Sequence, residues 1–129
     1  MAWGGIFDHV GGGFSRYSVD TKWHVPHFEK MLYDNGLLIS LYAKAYAVTK
    51  NILFKNVVEK SISFIKEELL DISNGFYSSL DADSLSDTGK LVEGAFYVWQ
   101  EKELREILTD NYALFADYYN INSYGYWEE

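Results

Sequence analysis

Three stretches of the chain carry the side chains that could do chemistry. They are a glycine-rich opening, the predicted start of a helix and a short acidic stretch. Carboxylates and imidazoles are the usual general acids and bases, and aromatic rings can stack on a sugar face. The predicted catalytic residues are His27, Asp34, Asp81 and Asp83. The predicted ligand-contacting residues are Asp8, His9, Arg16, Tyr17, Trp23, Lys30 and Tyr77.

If the chain is helical from position 27, then His27, Lys30 and Asp34 fall on one helix face. Such a row on an otherwise apolar helix is costly to bury unless each member finds a partner. One interpretation is a row facing a ligand cleft, with Asp34 or His27 as general acid or base. The other is a buried network that holds the glycine-rich opening, with Arg16 on Asp34 or on Asp8.

The acidic stretch reads Asp81-Ala82-Asp83-Ser84. On a strand its two carboxylates share a face and could meet a cation or sugar hydroxyls. It lacks the ligand spacing and glycine of a calcium loop, and a local turn role is the alternative. His24 and His27 are separated by a helix-breaking proline, so a metal site is not predicted. No nucleotide-binding glycine motif or serine-nucleophile motif is present, and we expect no cofactor.

The elements that must position these residues are mainly helical. Residues 1–26 are predicted to form a glycine-rich loop, followed by a helix over 27–49 that is apolar nearly all round. A second, one-sided amphipathic helix is predicted over 53–70. A short connection makes the two an antiparallel pair within 27–71, with a buried inner helix and a solvated outer one.

The second half of the chain is predicted to mix short strands and helices. Two β-prone runs, 76–80 and 95–99, are predicted to pair as a β-hairpin within 75–99, with the acidic loop 81–93 between them. Helices are predicted over 100–108 and 111–119, before an aromatic tail that ends at 129. Five aromatic residues are candidates for stacking on a ligand, although a core role is favoured for each: Tyr17, Trp23, Tyr77, Trp99 and Trp127.

Composition limits the functions that this chain can have. Lys and Arg number 11 against 19 Asp and Glu, so the net charge is −8. This argues against nucleic-acid binding and against an anionic membrane as partners. There is no cysteine, and neither a membrane-spanning run nor a signal peptide is evident, so we expect a cytoplasmic protein. No linker divides residues 1–129, which are predicted to belong to one domain.

Several runs together resemble the YyaL-like family, which includes the spermatogenesis-associated thioredoxin-domain-containing proteins. The runs are Asp8–Asp20, Val25–Asn35, Gly75–Ser78, Asp81–Ser84 and Phe96–Trp99. The resemblance implies a parent with a thioredoxin-like domain followed by an (α/α)6 toroid, similar to six-hairpin glycosidases and N-acylglucosamine epimerases. This chain would then be a fragment of the toroid without the thioredoxin-like domain. Ser15 and Gly36 depart from the family pattern, which often has His and Ala there.

The resemblance also implies that loops at one end of the toroid line a central funnel. These loops would gather Arg16, His27, Asp34, Asp81 and Asp83. One hypothesis is that the parent binds or processes a carbohydrate-like ligand there, with glycosidase-like or epimerase-like activity. The alternative is a non-catalytic structural or interaction module beside the thioredoxin-like domain. The fragment itself is predicted to be inactive and to self-associate through apolar surface exposed by truncation.

Overall fold

A computed structural model of the chain describes residues 1–125. The helices are α1 (Leu32–Thr49), α2 (Ile52–Phe64), α3 (Glu101–Leu108) and α4 (Tyr112–Tyr118). A π-helix (Ile65–Leu69) extends α2, and a 3-10 turn (Thr109–Asn111) joins α3 to α4. The strands are β1 (Lys30–Met31), β2 (Ser79–Leu80), β3 (Asp83–Leu85) and β4 (Leu91–Glu93). The mainly helical prediction is confirmed. Trp127 lies outside the described residues.

The core lies between the opening loop and the antiparallel pair α1–α2. Its buried members come mostly from the loop and are joined by Val57 of α2: Ala2, Ile6, Phe7, Phe14 and Val57. Leu38 and Tyr42 of α1 pack against this cluster from one side. The Tyr42 ring stacks on Phe14 with centroids 5.6 Å apart. The loop predicted over 1–26 is therefore a packed, irregular layer on the helix pair.

Two glycines allow the loop to approach α2 closely. Gly12 and Gly13 both have a φ of +78°, a region that residues with a side chain rarely adopt. A Cβ on Gly12 would lie 2.3 Å from the carbonyl oxygen of Lys60, and one on Gly13 would lie 2.5 Å from the Phe64 ring. The loop backbone therefore lies against α2 at a distance that no other residue permits.

The predicted helix over 27–49 is wrong in its first turn. Residues 27–31 are extended, and α1 begins at Leu32. On one side of this segment, His27 and Arg16 amides donate to the carbonyl oxygens of Tyr17 and Glu29. On the other side, β1 pairs with β2 in antiparallel register. Pairing on both sides satisfies the backbone of this segment better than a first helical turn, which would leave its amides unpaired.

The predicted hairpin between 76–80 and 95–99 is also wrong. The first run contributes β2, which pairs with β1 rather than with the second run. Residues 95–99 contain no strand, and the antiparallel hairpin is β3–β4, inside the stretch predicted as a loop. Its register pairs Asp83 with Glu93 and Leu85 with Leu91. The turn residues 86–89, with Gly89 at a φ of +74°, close this hairpin.

The burial of α1 also differs from the prediction. Only Asn35 is fully buried in this helix, whereas α2 buries Val57, Ser61 and Phe64. Leu37 and Leu41 of α1 are 70% and 58% exposed. A single neighbouring helix and one loop cover one side of α1 and leave its opposite side open within residues 1–125. The prediction of an inner helix buried on most sides is therefore wrong for the part of the chain described.

Gly36 gives a direct test of this open face. It lies within α1, and no atom approaches within 4 Å of the position that a Cβ would take. Gly36→Ala is expected to raise the free energy of unfolding by about 0.5–1 kcal/mol, because alanine loses less backbone entropy in a helix. Urea denaturation of both proteins measures this difference. Gly13→Ala is the matched control and should destabilise instead, and a destabilised Gly36→Ala would show that this face is covered.

Candidate functional site

The pairing of β1 with β2 creates a cavity of about 280 Å³ between the opening loop, the π-helix and the β3–β4 hairpin. It is lined by Asp8, Gly11, Lys30, Phe64, Glu68, Leu80, Asp81, Asp83, Ser84, Phe96 and Tyr97. Four of the predicted site residues thus meet here: Asp8, Lys30, Asp81 and Asp83. Lys30 and Leu80 are direct partners in the β1–β2 register, so Asp81 follows immediately beside the Lys30 strand.

Lys30 is the buried cation of this cavity, and its side chain is only 3% exposed. Its Nζ atom donates to Asp8 Oδ2 at 2.8 Å and to the carbonyl oxygen of Gly12 at 2.9 Å. The same atom lies 4.7 Å from the centre of the Phe64 ring and 5.2 Å from that of Tyr97. Burial lowers the pKa of Lys30, although the hydrogen bond and charge of Asp8 act in the opposite direction.

Asp8 holds both the lysine and the turn of the glycine-rich loop. Its Oδ1 atom accepts hydrogen bonds from the amides of Val10 at 2.9 Å and Gly11 at 2.8 Å. Burial alone would raise the pKa of this carboxyl group, but the Lys30 ammonium and these amides outweigh it and hold the pKa below its usual value. Asp8 is therefore ionised and fully engaged within the fold.

This pKa predicts the acid sensitivity of the loop. A carboxyl group whose pKa is lowered by folding stabilises the protein above its unfolded-state pKa, about 3.8, and loses this contribution as the pH falls through the lower folded-state value. Asp8→Asn is therefore expected to flatten the dependence of unfolding free energy on pH below about 4. Denaturation between pH 7 and 2 measures it. Asp71 also has a lowered pKa and contributes to the acid sensitivity of both proteins. The effect of Asp8 is therefore read from the difference in slope between the wild type and Asp8→Asn. Identical slopes would contradict this role of Asp8.

Asp81 and Asp83 also line the cavity. Asp81 Oδ1 accepts a hydrogen bond from the Asp83 amide at 3.0 Å, a local turn interaction. Both residues are exposed. Ser84 Oγ accepts a hydrogen bond from the amide of Phe96 at 2.8 Å, and this bond holds residues 96–99 against the β3–β4 hairpin. The turn role and the cavity-lining role of this acidic stretch are therefore present together.

Tyr97 and Glu68 are lining residues that the sequence analysis did not select. Burial, followed by the charges of Asp8 and Glu68, raises the pKa of Tyr97 to about 12, so its hydroxyl stays protonated. Tyr97 stacks on Phe28 with centroids 5.2 Å apart. Its place in an aromatic run was a usable signal, whereas nothing in the sequence distinguishes Glu68 from its neighbour Glu67. Glu68 reaches the cavity from the π-helix, a geometry frequent at functional sites.

His27 and Asp34 are not among the residues that line this cavity. His27 stacks on Tyr17, and its Nε2 atom lies 3.5 Å from Glu93 Oε1. His27 Nδ1 and Asp34 Oδ2 are buried without a hydrogen-bond partner within the described residues. The prediction that His27, Lys30 and Asp34 share one helix face is wrong, because it required a helix where the chain is extended.

The other predicted ligand-contacting residues are also outside the lining. Arg16 forms an ion pair with Glu29 at 3.2 Å, not with Asp34 or Asp8. The Tyr77 hydroxyl donates to Asp71 at 2.9 Å. His9 Nε2 lies 3.3 Å from the carbonyl oxygen of Gly4, and Trp23 is 44% exposed with a φ of +61°. None of these side chains lines the cavity. His9, Arg16 and Trp23 belong to the opening loop, whereas Tyr77 bonds within the turn that follows the π-helix.

Asn35 is the residue that ties the loop to α1. It is fully buried, and its Oδ1 atom accepts from the Phe14 amide at 2.7 Å. Its Nδ2 group donates to the carbonyl oxygens of Phe14 at 3.0 Å and Met31 at 2.9 Å. Asn35 directly follows Asp34 in the sequence, and the sequence analysis assigned it no role.

Residues 1–125 contain no group of three or more His, Asp or Glu side chains placed to hold a metal ion. Over the same residues, no helix has the length and apolar character needed to cross a membrane. The arrangement offers carboxylates, a protonated phenol and aromatic faces around one cavity, which suit hydrogen bonding to a polar organic molecule.

The sequence aligns with proteins of known name over most of its length. It is 46% identical over 111 residues to spermatogenesis-associated protein 20 of Mus musculus, and the same identity is found with the Homo sapiens protein. The chain is homologous to a segment of spermatogenesis-associated protein 20. The match covers 85% of this chain but 14% of the relative.

A second relative lies outside the mammals. The chain is 38% identical over 136 aligned positions to an uncharacterized protein of Caenorhabditis elegans, a match covering 97% of this chain and 18% of that protein. No protein-family model matches the chain. Homology to spermatogenesis-associated protein 20 thus confirms the resemblance over this segment, and the chain spans a small part of the relatives it matches.

Proposed function

We propose that this segment forms one wall of a binding site for a carbohydrate-like ligand in a longer protein. The observation that carries the proposal is the cavity itself. Asp81 and Asp83 line it together with the Lys30–Asp8 ion pair and with Phe96 and Tyr97. Carboxylates accept hydrogen bonds from sugar hydroxyls, and an aromatic ring covers the apolar face of a sugar.

Exposure divides the lining into supporting and ligand-facing groups. Lys30 and Asp8 use most of their hydrogen-bonding capacity within the fold. Asp83 is exposed, and the Phe96 ring is 74% exposed. In the proposal, the ion pair fixes the loop while Asp81, Asp83 and Phe96 contact the ligand.

We also propose that α1 and α2 are one helical hairpin of an (α/α)6 toroid. The antiparallel α1–α2 pair and the open face of α1 support this, because each hairpin of a toroid packs against further helices. On this proposal, any glycosidase-like or epimerase-like reaction belongs to the complete protein, and the fragment is inactive. A cytoplasmic location stays a prediction.

If the complete protein cleaves a glycosidic bond at this cavity, its lining supplies at least one of the two acids. Such cleavage uses two carboxyl groups about 5–10 Å apart. Asp34, which the sequence analysis suggested, does not line the cavity. The pair must therefore be drawn from Asp81, Asp83 and Glu68, or include an acid from the remainder of the protein.

The second candidate function is a non-catalytic interaction module. The observation that favours it is the sealed state of the loop network: Lys30 and Asn35 both bind backbone atoms of the loop and are fully buried. On this reading the polar residues serve folding alone, and the cavity is a by-product of the β1–β2 pairing.

A saccharide-binding screen separates the two functions. The complete protein is titrated with neutral mono- and oligosaccharides by saturation-transfer NMR. Asp83→Asn should weaken any binding by about tenfold or more, since each hydrogen bond to a charged group contributes about 1.5–3 kcal/mol. The matched control is Asp87→Asn at the exposed tip of the same hairpin, which should bind as the wild type does. Absence of saccharide binding, or equal binding by Asp83→Asn, would reject the carbohydrate proposal.

A further inference from the structure

The dipeptide Asn-Gly occurs twice in the sequence, as Asn35-Gly36 and as Asn74-Gly75. Asparagine is a thermolabile residue, because the backbone nitrogen of the next residue can attack its side-chain amide. Glycine in the next position hinders this attack least, since it has no Cβ and few restrictions on its backbone angles. The two pairs therefore have similar intrinsic reactivity, and the fold decides which of them reacts.

The fold protects the first pair. Asn35 is fully buried, and its side chain accepts a hydrogen bond from the Phe14 amide. It also donates to the carbonyl oxygens of Phe14 and Met31. Both Asn35 and Gly36 lie within α1. An attack on the Asn35 side chain requires these hydrogen bonds to break and this part of α1 to open, and buried elements open rarely.

The second pair is exposed in the turn between the π-helix and β2. Asn74 and Gly75 are both exposed, and Asn74 has a φ of +64°, which asparagine adopts more readily than most residues. The side-chain hydrogen bonds of this turn run from Ser73 and Tyr77 to Asp71, and Asn74 takes no part in them. Within the described residues, the Gly75 amide has no hydrogen-bond acceptor. Nothing in the turn therefore holds the two reacting groups apart.

We propose that Asn74 is a site of spontaneous deamidation. The Gly75 nitrogen attacks Asn74 Cγ, the new C–N bond closes a five-membered succinimide, and the Cγ–Nδ2 bond breaks. Nδ2 leaves as ammonia, which carries away the proton lost by the Gly75 nitrogen. Water then opens the ring at one of its two carbonyl carbons. Opening at Cγ gives aspartate, whereas opening at the main-chain carbonyl gives isoaspartate, whose main chain runs through Cγ. Water is the only co-reactant.

The isoaspartyl product changes the length of the turn. Its main chain contains one carbon atom more than that of asparagine. The Asp71 amide donates to the carbonyl oxygen of Gly75 at 2.8 Å, and the inserted atom lies within the ring that this bond closes. The new carboxylate also lies three residues from Asp71, whose pKa is lowered to about 2 by hydrogen bonds from Ser73 and Tyr77. We expect the Asp71–Gly75 bond to be lost in the isoaspartyl form.

The turn connects two segments that line the cavity. Glu68 reaches the cavity from the π-helix, and Leu80 reaches it from β2. Just beyond the turn, the Tyr77 amide donates to the carbonyl oxygen of Leu69 at 2.8 Å and holds the segments together. Deamidation of Asn74 is thus a slow covalent change at the point where the two segments separate.

Peptide mapping by mass spectrometry tests the proposal on the 129-residue chain, incubated at mildly alkaline pH. Conversion of amide to acid is followed at both pairs, in the folded protein and in urea. In the folded protein, Asn74 should convert at least about tenfold faster than Asn35, which reacts only when the buried helix opens. An Asn74 that stays intact in the folded protein, or that reacts no faster than Asn35, would overturn the proposal. In urea the two rates should become similar, and a persisting difference would show that the fold does not select the site.

Gly75→Ala is the matched variant. The φ of Gly75 is not positive, and a Cβ there would meet only Ser73 Oγ at 3.6 Å, so the variant should fold. The added methyl group hinders the approach of the nitrogen to Asn74 Cγ. Conversion of Asn74 should slow severalfold, whereas that of Asn35 should not change. Unchanged conversion of Asn74 would contradict the succinimide route.

Asn74→Asp separates the new charge from the longer main chain. Hydrogen exchange compares this variant with wild-type chain that incubation has enriched in isoaspartate at position 74. The Asp71 and Tyr77 amides should exchange faster in the isoaspartyl form, and nearly as in the unmodified protein in Asn74→Asp. Equal exchange in the isoaspartyl and unmodified forms would overturn the proposed effect on the turn.

Discussion

Lys30→Met is expected to lower the free energy of unfolding by about 3 kcal/mol. Removing one partner of a buried ion pair costs about 3–5 kcal/mol, because the other charge is left without compensation. The Asp8 side chain is 20% exposed and can regain some water, which places the loss near the lower end. Gly12 also loses the donor to its carbonyl oxygen. Methionine keeps the length of the side chain between the Phe64 and Tyr97 rings, so the experiment removes charge with little change in volume.

The double variant Lys30→Met/Asp8→Asn separates charge from packing. Removing both charges should recover part of the loss, because the amide oxygen of the substituted side chain can still accept the two loop amides and no buried charge remains. Lys66→Met, at an exposed lysine, should change stability by less than about 0.5 kcal/mol. Urea denaturation of the four proteins gives the comparison. A loss below about 1 kcal/mol for Lys30→Met would show that the pair does not hold the loop.

Asn35→Ala is expected to be the most destabilising single change, at about 3–4 kcal/mol. It leaves the amide and the carbonyl oxygen of Phe14 buried without partners, and each unsatisfied group costs about 1–3 kcal/mol. Phe14 is itself fully buried in the core, so water cannot easily replace the lost bonds. A small domain has only about 5–15 kcal/mol of stability in total, and the thermal midpoint should fall markedly.

Asn51→Ala is the control for Asn35→Ala. Asn51 caps α2 by accepting from the Leu53 amide at 3.0 Å, in an exposed setting. Loss of such a cap costs about 1 kcal/mol. Calorimetric unfolding should therefore rank Asn35→Ala well below Asn51→Ala in stability. Equal losses would mean that the Phe14 backbone finds other partners when Asn35 is removed.

The cavity shows where sequence reasoning about a site succeeds and where it stops. Asp8, Lys30, Asp81 and Asp83 were selected by residue type, and they do meet. Their meeting depends on the β1–β2 pairing, which joins residues fifty positions apart in sequence. Glu68 reaches the same cavity from the π-helix, and Tyr97 reaches it while stacked on the Phe28 ring. Neither local feature leaves a pattern that periodicity can detect.

Residues 27–31 show why the predicted row of ionisable groups failed. Their apolar spacing continues that of α1, so periodicity alone extends the helix backwards to position 27. The two backbone pairings that straighten this segment come from residues 16–18 and 78–80, which a local pattern does not include. His27 consequently turns towards Tyr17 and Glu93, and Lys30 towards Asp8.

The sequence by itself determined the helical segments, the irregular glycine-rich opening and the scarcity of charge along α1. These follow from local periodicity and from the backbone freedom of glycine, which depend on near neighbours in the chain. Tertiary structure decided which strands pair, which carboxylates share a cavity and which face of α1 stays open. Those outcomes depend on the free energy of long-range backbone pairing and burial, to which residues far apart in sequence contribute together.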